Sequence, residues 1–390
     1  MATLVRFDPF DYAVHEDPFP VYRQLRDDAP VYFDVDRGFY ALSRHADVRA
    51  AVDDWETFSS AGGITLERAG GQGVEPMLIE MDPPRHTELR ALVSRAFTPR
   101  RVAELEAPTR ALARDLIARF DDRRVDVVAE FSAFLPMAVI CRMLGIPMAD
   151  QDELRLAADA MLHREPDSDQ ITPAGIEGAT TLYSYFDAVI RRRRDELGDD
   201  LVSALVGAEV DGRALTHSEI LGFCFLLIIA GNETTTKLIG NAVHWLARFP
   251  DQRAVVLADP SLVASTVEET LRFDGSTQAL ARTLTRDVDL HGTTMEAGRK
   301  LLLLFGSANR DERFWQRPDE YDISRNPAGH LAFGHGIHHC LGAALARLET
   351  RVALEELLPV LGDYDVDIDA SERVHSANVR GFKHLPVDRA

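Results

Sequence analysis

Apolar positions recur along most of this chain at the three-to-four-residue spacing of amphipathic helices. From Pro83 onward the pattern predicts helices over about 84–97, 101–120, 130–144, 150–163 and 174–196. Thr216 and Glu219 stand at capping-box spacing and open a long helix over about 218–248, apolar at its start. That helix runs through Ala230-Gly231-Asn232-Glu233-Thr234-Thr235-Thr236. A second cap-like start near Ser261 leads into Val267-Glu268-Glu269-Thr270-Leu271-Arg272-Phe273, and 341–358 is the last clear helix. Strands are fewer. Residues 31–35 and 39–43 flank Asp36-Arg37-Gly38, a three-residue hairpin connection, and short strands are expected at 279–284, 287–290 and 300–304. Ser59 to Gly73 is glycine-rich without periodicity and reads as a mobile loop. Many helices, a minor strand component and no β-α alternation make the fold mainly α with minor β, against a dinucleotide-binding or barrel fold. With neither linker nor repeat, residues 1–390 read as a single domain with a mobile N-terminal segment over about 1–15.

Composition adds exclusions. The 43 basic and 63 acidic side chains give a formal charge of -20, which disfavours non-specific binding to nucleic acid or anionic membranes. The segment from Met1 to Pro20 carries Asp8, Asp11, Glu16 and Asp17 and lacks the apolar core of a signal peptide. The longest apolar runs, near Leu221 to Ala230 and Leu301 to Phe305, are far short of a membrane span. A cytoplasmic, membrane-free monomer is expected. Three cysteines do not make a disulfide framework. Cys141 and Cys224 lie in apolar runs and read as small buried hydrophobes.

Cys340 is different. It follows Phe333-Gly334-His335-Gly336-Ile337-His338-His339 and precedes Leu341-Gly342 at the start of a helix. Glycines permit a tight turn and close approach of a large group. A thiolate at a helix start gains from unpaired N–H donors. Such a site suits a single anionic metal ligand, and thiolate-held haem iron is primed for O–O cleavage. These facts alone also fit an ordinary glycine-rich turn into a helix.

The pattern Phe333-x-x-Gly336-x-His338-x-Cys340-x-Gly342 resembles the haem-binding loop of the cytochrome P450 family. Three more segments match in the family's order: Glu269-Thr270-Leu271-Arg272 is similar to its helix pair, Ala230 to Thr235 to its oxygen-binding segment, and His86-Thr87-Glu88-Leu89-Arg90 to its haem-carboxylate helix. The resemblance implies a P450-like fold with a long central helix and a haem-binding cysteine loop. It implies haem b with Cys340 as axial metal ligand, and Phe333, Gly336, His338 and Gly342 around it. His86, Arg90, Arg282 and His338 would meet the haem carboxylates. Glu233 and Thr234 would deliver protons to iron-bound oxygen, with Ala230 and Gly231 leaving room for it. Glu269 and Arg272, three apart on one helix face, would form an internal group with a later arginine, either Arg317 or Arg325; without the resemblance they read as a surface ion pair.

The implied function is a monooxygenase that inserts one atom of O2 into a small apolar organic substrate. Electrons would come from a ferredoxin and its NAD(P)H-dependent reductase, docking on a patch that includes Arg95, Arg100, Arg101, Arg310, Arg313 and Arg347. Family position places the pocket near Ile64 to Ile79, Met161-Leu162, Leu227, Thr277 to Leu280 and Val379. Two departures stand out. Glu233 replaces a common aspartate, and Phe273-Asp274-Gly275 lacks the proline that relatives often carry after the helix pair. The competing readings are a P450-type desaturase or peroxide-driven oxidase, a non-enzymatic haem sensor or carrier, and a zinc hydrolase using His335, His338, His339 and Cys340.

Overall fold

A computed structural model describes residues 5–67, 77–120, 123–165, 168–210 and 212–389. Its axis is the 32-residue helix His217–Arg248. The expected capping box closes its start: the Thr216 hydroxyl accepts from the Glu219 N–H at 3.2 Å, and the Glu219 carboxylate accepts from the Thr216 N–H at 2.8 Å. The helix is buried on nearly every side because Leu135–Leu144, Pro173–Asp195, Val263–Asp274 and Ala343–Leu361 pack around it. Two apolar cores result. One joins Leu238, Val243 and Leu246 of the central helix to Leu354 and Leu357, and the other joins Phe223, Cys224 and Ile228 to Leu144 and Phe186. Cys141 and Cys224 sit in the second core, and burial pushes both thiols well above their ordinary range.

Two predicted helices are interrupted, each beside a proline. The 101–120 stretch is Pro99–Glu104 followed by Glu106–Ile117, with Pro108 in the first turn of the second. The 130–144 stretch divides into a wide turn over Val128–Ser132 and the helix Leu135–Leu144, whose first turn holds Pro136. Proline has no N–H to continue a preceding helix but fits a helix start.

Five of the strands form one sheet in the order Val31–Asp34, Phe39–Leu42, Lys300–Leu304, Ala279–Leu284, Phe58–Ser59, and the rest form smaller sheets of two or three. The hairpin expected at Asp36-Arg37-Gly38 pairs Val31 with Leu42, and Gly38 takes φ +71°. Arg282 lies opposite Leu301 in the antiparallel pair. The N-terminal stretch contains the short helix Tyr12–Glu16, capped by Asp11, and Phe7 is buried. Of the loop read between Ser59 and Gly73, residues 68–73 lie outside the described residues. Among the described residues, no helix is long and apolar enough to cross a membrane.

Candidate functional site

The cysteine loop is closed by its own backbone. The Cys340 N–H donates to the Phe333 carbonyl at 2.9 Å, and Gly334 and Gly336 between them take φ +64° and +63°. A side chain on Gly336 would also stand 3.1 Å from the Val52 carbonyl. Glycine there is therefore demanded twice, by conformation and by the neighbouring helix His45–Asp53. The turn Cys340-Leu341-Gly342 leads into the helix Ala343–Leu361, two residues later than the pattern suggested. A methyl on Gly342 would meet nothing within 4 Å, so packing among protein atoms does not require a glycine there. Phe333 lies against the first core, with the Arg347 guanidinium 4.6 Å above its ring.

The Cys340 side chain is accessible, yet the surrounding protein desolvates it and raises its pKa. The Gly342 N–H and the charges of Arg90 and Arg347 act in the opposite direction. These are the groups that would favour a bound thiolate.

Around the loop stand donors that the protein leaves without partners. Both ring nitrogens of buried His86, and Nε2 of His338, lack a hydrogen bond. The two rings are 4.3 Å apart. Burial, then the Arg282, His86 and Arg90 charges, holds His338 down to about 3, and burial lowers His86. Buried Arg282 donates to the Ala281 carbonyl at 2.8 Å, and burial lowers its pKa to about 10. Arg90 donates to the His339 carbonyl, so its guanidinium reaches the cysteine loop itself. Buried donors and cations short of anions are costly unless an acceptor meets them. This set fits a large cofactor that brings carboxylates to one edge and iron to Cys340.

The zinc arrangement does not form. His335 turns outward to Asp53 and Arg49, His338 turns inward to His86, and His339 is exposed. Among the described residues, no three His, Cys, Asp or Glu side chains are grouped to hold a metal ion.

On the central helix, Ala230 is exposed and Thr234 half-buried, one turn apart on the same face, while Asn232, Glu233, Thr235 and Thr236 are buried. The Thr234 hydroxyl donates to the Ala230 carbonyl at 2.9 Å. Gly231 lies against a neighbouring helix. A side chain there would lie 3.3 Å from Ile140, so this glycine admits the helix Leu135–Leu144, while Ala230 and Thr234 form the open face. Glu233 points elsewhere again. It is buried and ion-paired at 3.0 Å with Lys237, one turn on. Thr235 and Thr236 are buried, Thr236 donating to the Ser132 carbonyl at 2.9 Å.

Glu269 and Arg272 are internal, and Arg325 is the third member of their group. Arg272 forks onto both Glu269 oxygens at 2.7 and 2.9 Å, and Arg325 Nε reaches Glu269 Oε1 at 3.1 Å. Arg317 instead pairs at the surface with Glu320 and Asp322. Arg272 also donates to the carbonyls of Asn309, Pro318 and Glu320.

Asp274, after the helix pair, is buried and accepts from Arg380 and Trp245, each at 2.9 Å. Arg310, expected in a surface patch, is buried between Phe19 and Phe273, its guanidinium carbon 3.5 and 3.6 Å from their centroids. Flat guanidinium is weakly hydrated and stacks on rings, which is why this arginine is inside. Arg95, Arg100 and Arg101 are exposed. Of the pocket positions, Leu227 is buried, Met161, Leu162, Leu280 and Val379 are half-buried, and Thr277 pairs by backbone with Val379. Gln278 turns inward to the Gly275 carbonyl, and residues 68–76 lie outside the described residues.

A family model described as Cytochrome P450 matches residues 176–372. The chain is 47% identical over 385 residues to the putative cytochrome P450 123 of Mycobacterium tuberculosis, covering 97% of this chain and 96% of that one. It is 39% identical over 391 residues to the vitamin D(3) 25-hydroxylase of Pseudonocardia autotrophica, with 97% and 96% covered. The solved structure of CYP109Q5 from Chondromyces apiculatus is similar at TM-score 0.90 and 36% identity, over 100% of this chain and 99% of that one.

Proposed function

Because the chain belongs to the cytochrome P450 family, we propose that its haem b is held through the Cys340 thiolate, with His86, Arg90, Arg282 and His338 meeting the haem carboxylates. The protein is a haem-thiolate monooxygenase of organic substrates, and the bound haem supplies the activation of O2. One observation carries the residue assignment. The unpaired nitrogens of His86 and His338 and the desolvated Arg282 surround a cysteine whose loop is closed by backbone. Phe333, Gly336 and Gly342 shape that loop. Residues 1–390 form one haem domain.

Ala230 and Thr234 border the side on which oxygen is used, and Glu233 supplies protons. A positioned acid contributes about 10²–10⁴-fold to proton transfer. The Thr234 hydroxyl, held by the Ala230 carbonyl, keeps its lone pairs free to accept a proton-carrying water.

The substrate is apolar. Leu227, Met161, Leu280 and Val379 would select it by shape, with few orienting polar contacts. The relative named as a vitamin D(3) 25-hydroxylase makes secosteroids and steroids the first compounds to screen. Electrons come from a small acidic ferredoxin and its NAD(P)H-dependent reductase, which dock near exposed Arg95, Arg100 and Arg101. Reduction independent of ionic strength would remove the electrostatic part of that docking.

The decisive test is the spectrum of the reduced, carbon monoxide-bound protein beside that of Cys340→Ala. The thiolate signature should be present in the first and lost in the second. An unchanged spectrum in the variant would assign the iron to another ligand.

A further inference from the structure

Glu268 and Glu269 are consecutive on the helix Val263–Asp274, yet they meet different partners. Glu269 turns inward to Arg272 and Arg325. Glu268 turns toward the two flanks of the cysteine loop. It accepts a fork from Arg347, Nε at 2.6 Å and Nη2 at 3.0 Å, and a further bond from His330 Nε2 at 3.1 Å. His330 precedes Phe333, and Arg347 follows Cys340 on the helix Ala343–Leu361. His330 Nδ1 accepts from the Ala332 N–H at 3.3 Å, which leaves the proton on Nε2 and makes that nitrogen the donor to Glu268. Burial alone would raise the Glu268 carboxyl, but the bonds from His330 and Arg347, with the Arg347 charge, outweigh it and hold the group down to about 2. Glu268 is therefore a carboxylate at neutral pH.

Arg90 and Arg347 both favour the thiolate of Cys340 through their charge. They are not alike. Arg90 donates to a neutral acceptor, the His339 carbonyl. Arg347 is forked onto a carboxylate and laid over the Phe333 ring, 4.6 Å from its centroid, and the Phe333 carbonyl holds the Cys340 N–H. An opposite charge in contact turns a point charge into a dipole, whose field fades faster with distance. Arg347 and Glu268 are 39% and 31% exposed, so the pair contributes little to stability. Its geometry is nonetheless fixed by the fork, the ring and buried His330 together.

We propose that Glu268 is a positioning residue that limits how much of the Arg347 charge reaches Cys340, and thereby holds down the potential at which the bound haem accepts an electron. This rests on the reading that Cys340 holds the haem iron. Reduction adds one negative charge to the iron and its thiolate. A bare cation nearby favours the reduced state, and a compensated one favours it less. The electron comes from the external donor, and no bond within the Glu268 group forms or breaks.

The test is an anaerobic redox titration of haem-loaded wild type, Glu268→Gln, Arg347→Gln, the double variant and Glu268→Asp, with the reduced carbon monoxide spectrum recorded for each. Glu268→Gln should raise the midpoint, increasing the ferrous-to-ferric ratio at a fixed potential by at least about threefold, and Arg347→Gln should lower it. The double variant should fall between them, and Glu268→Asp should return toward wild type. A purely structural pair behaves differently: either removal loosens the same loop, so both single variants move the midpoint the same way. That result overturns the proposal. If Arg347→Gln fails to retain haem, Glu268→Gln against Glu268→Asp still decides, because the first must rise and the second must not. Absence of the thiolate signature from wild type overturns the haem reading and this inference with it. An intact signature with unmoved midpoints overturns the role of Glu268 alone.

Discussion

The Thr234 hydroxyl is bonded at 2.9 Å to the carbonyl of Ala230, one turn back on the central helix. This bond orients the oxygen of Thr234 on the face that Ala230 leaves open. A threonine used only to satisfy a carbonyl could be exchanged for alanine with little effect beyond about 1 kcal/mol of stability. Thr234→Ala should instead keep its haem and divert electrons to peroxide, lowering the coupled fraction by about tenfold or more. Peroxide formed per electron pair is the measurement. An unchanged yield removes Thr234 from oxygen chemistry.

Arg272 and Glu269 are both fully buried, and each supplies the other's charge compensation. Arg272→Ala would strand the Glu269 carboxylate and the three carbonyls that Arg272 holds, costing about 3–5 kcal/mol. Arg325→Ala should cost less, about 1–3 kcal/mol, because Glu269 Oε1 keeps Arg272 and the Asp322 N–H. Arg272→Lys should not rescue, since an ammonium cannot reproduce the fork. Thermal melting and haem content of the three variants check the order.

Gly231 offers a clean discrimination between packing and access. Gly231→Leu should destabilise by about 1–3 kcal/mol through overpacking against Ile140. Denaturant midpoints would show this. Normal stability with impaired oxygen binding would return the glycine to the role first expected for it.

Acid should destabilise the fold through His244. Burial, reinforced by the Arg373 charge, lowers its pKa from an ordinary 6.5 to about 4. The unfolded chain therefore binds the proton first. The stability His244 contributes is complete above pH 6.5 and is lost as pH falls toward 4, by about 3 kcal/mol. His244→Gln should flatten the stability profile across that window. A profile with the wild-type slope would place the acid sensitivity elsewhere.

What could be read in advance was what lies close together in sequence. The loop ending at Cys340, the Thr216/Glu219 cap and the Glu269/Arg272 pair each occupy a few consecutive positions; spacing locates the cap, and the family resemblance gives the other two their roles. Arg325 could not be separated from Arg317 because the choice depends on how an irregular segment returns to the helix. Lys237 escaped notice for the same reason: a lysine one turn after a glutamate looks like a solvated position until the neighbouring helices bury both. Arg310 misled in the opposite direction, since its place between Phe19 and Phe273 brings together rings more than 250 residues apart.

The grip of Arg272 on the carbonyls of Asn309, Pro318 and Glu320 has a consequence for how this protein can vary. Every residue type offers the same carbonyl, so a guanidinium that holds backbone is indifferent to the side chains along the path it anchors. The stretch from 309 to 320 can therefore accumulate substitutions on its exposed side and still follow one course. Its tolerance is concentrated in the loop, and its vulnerability in a single distant arginine.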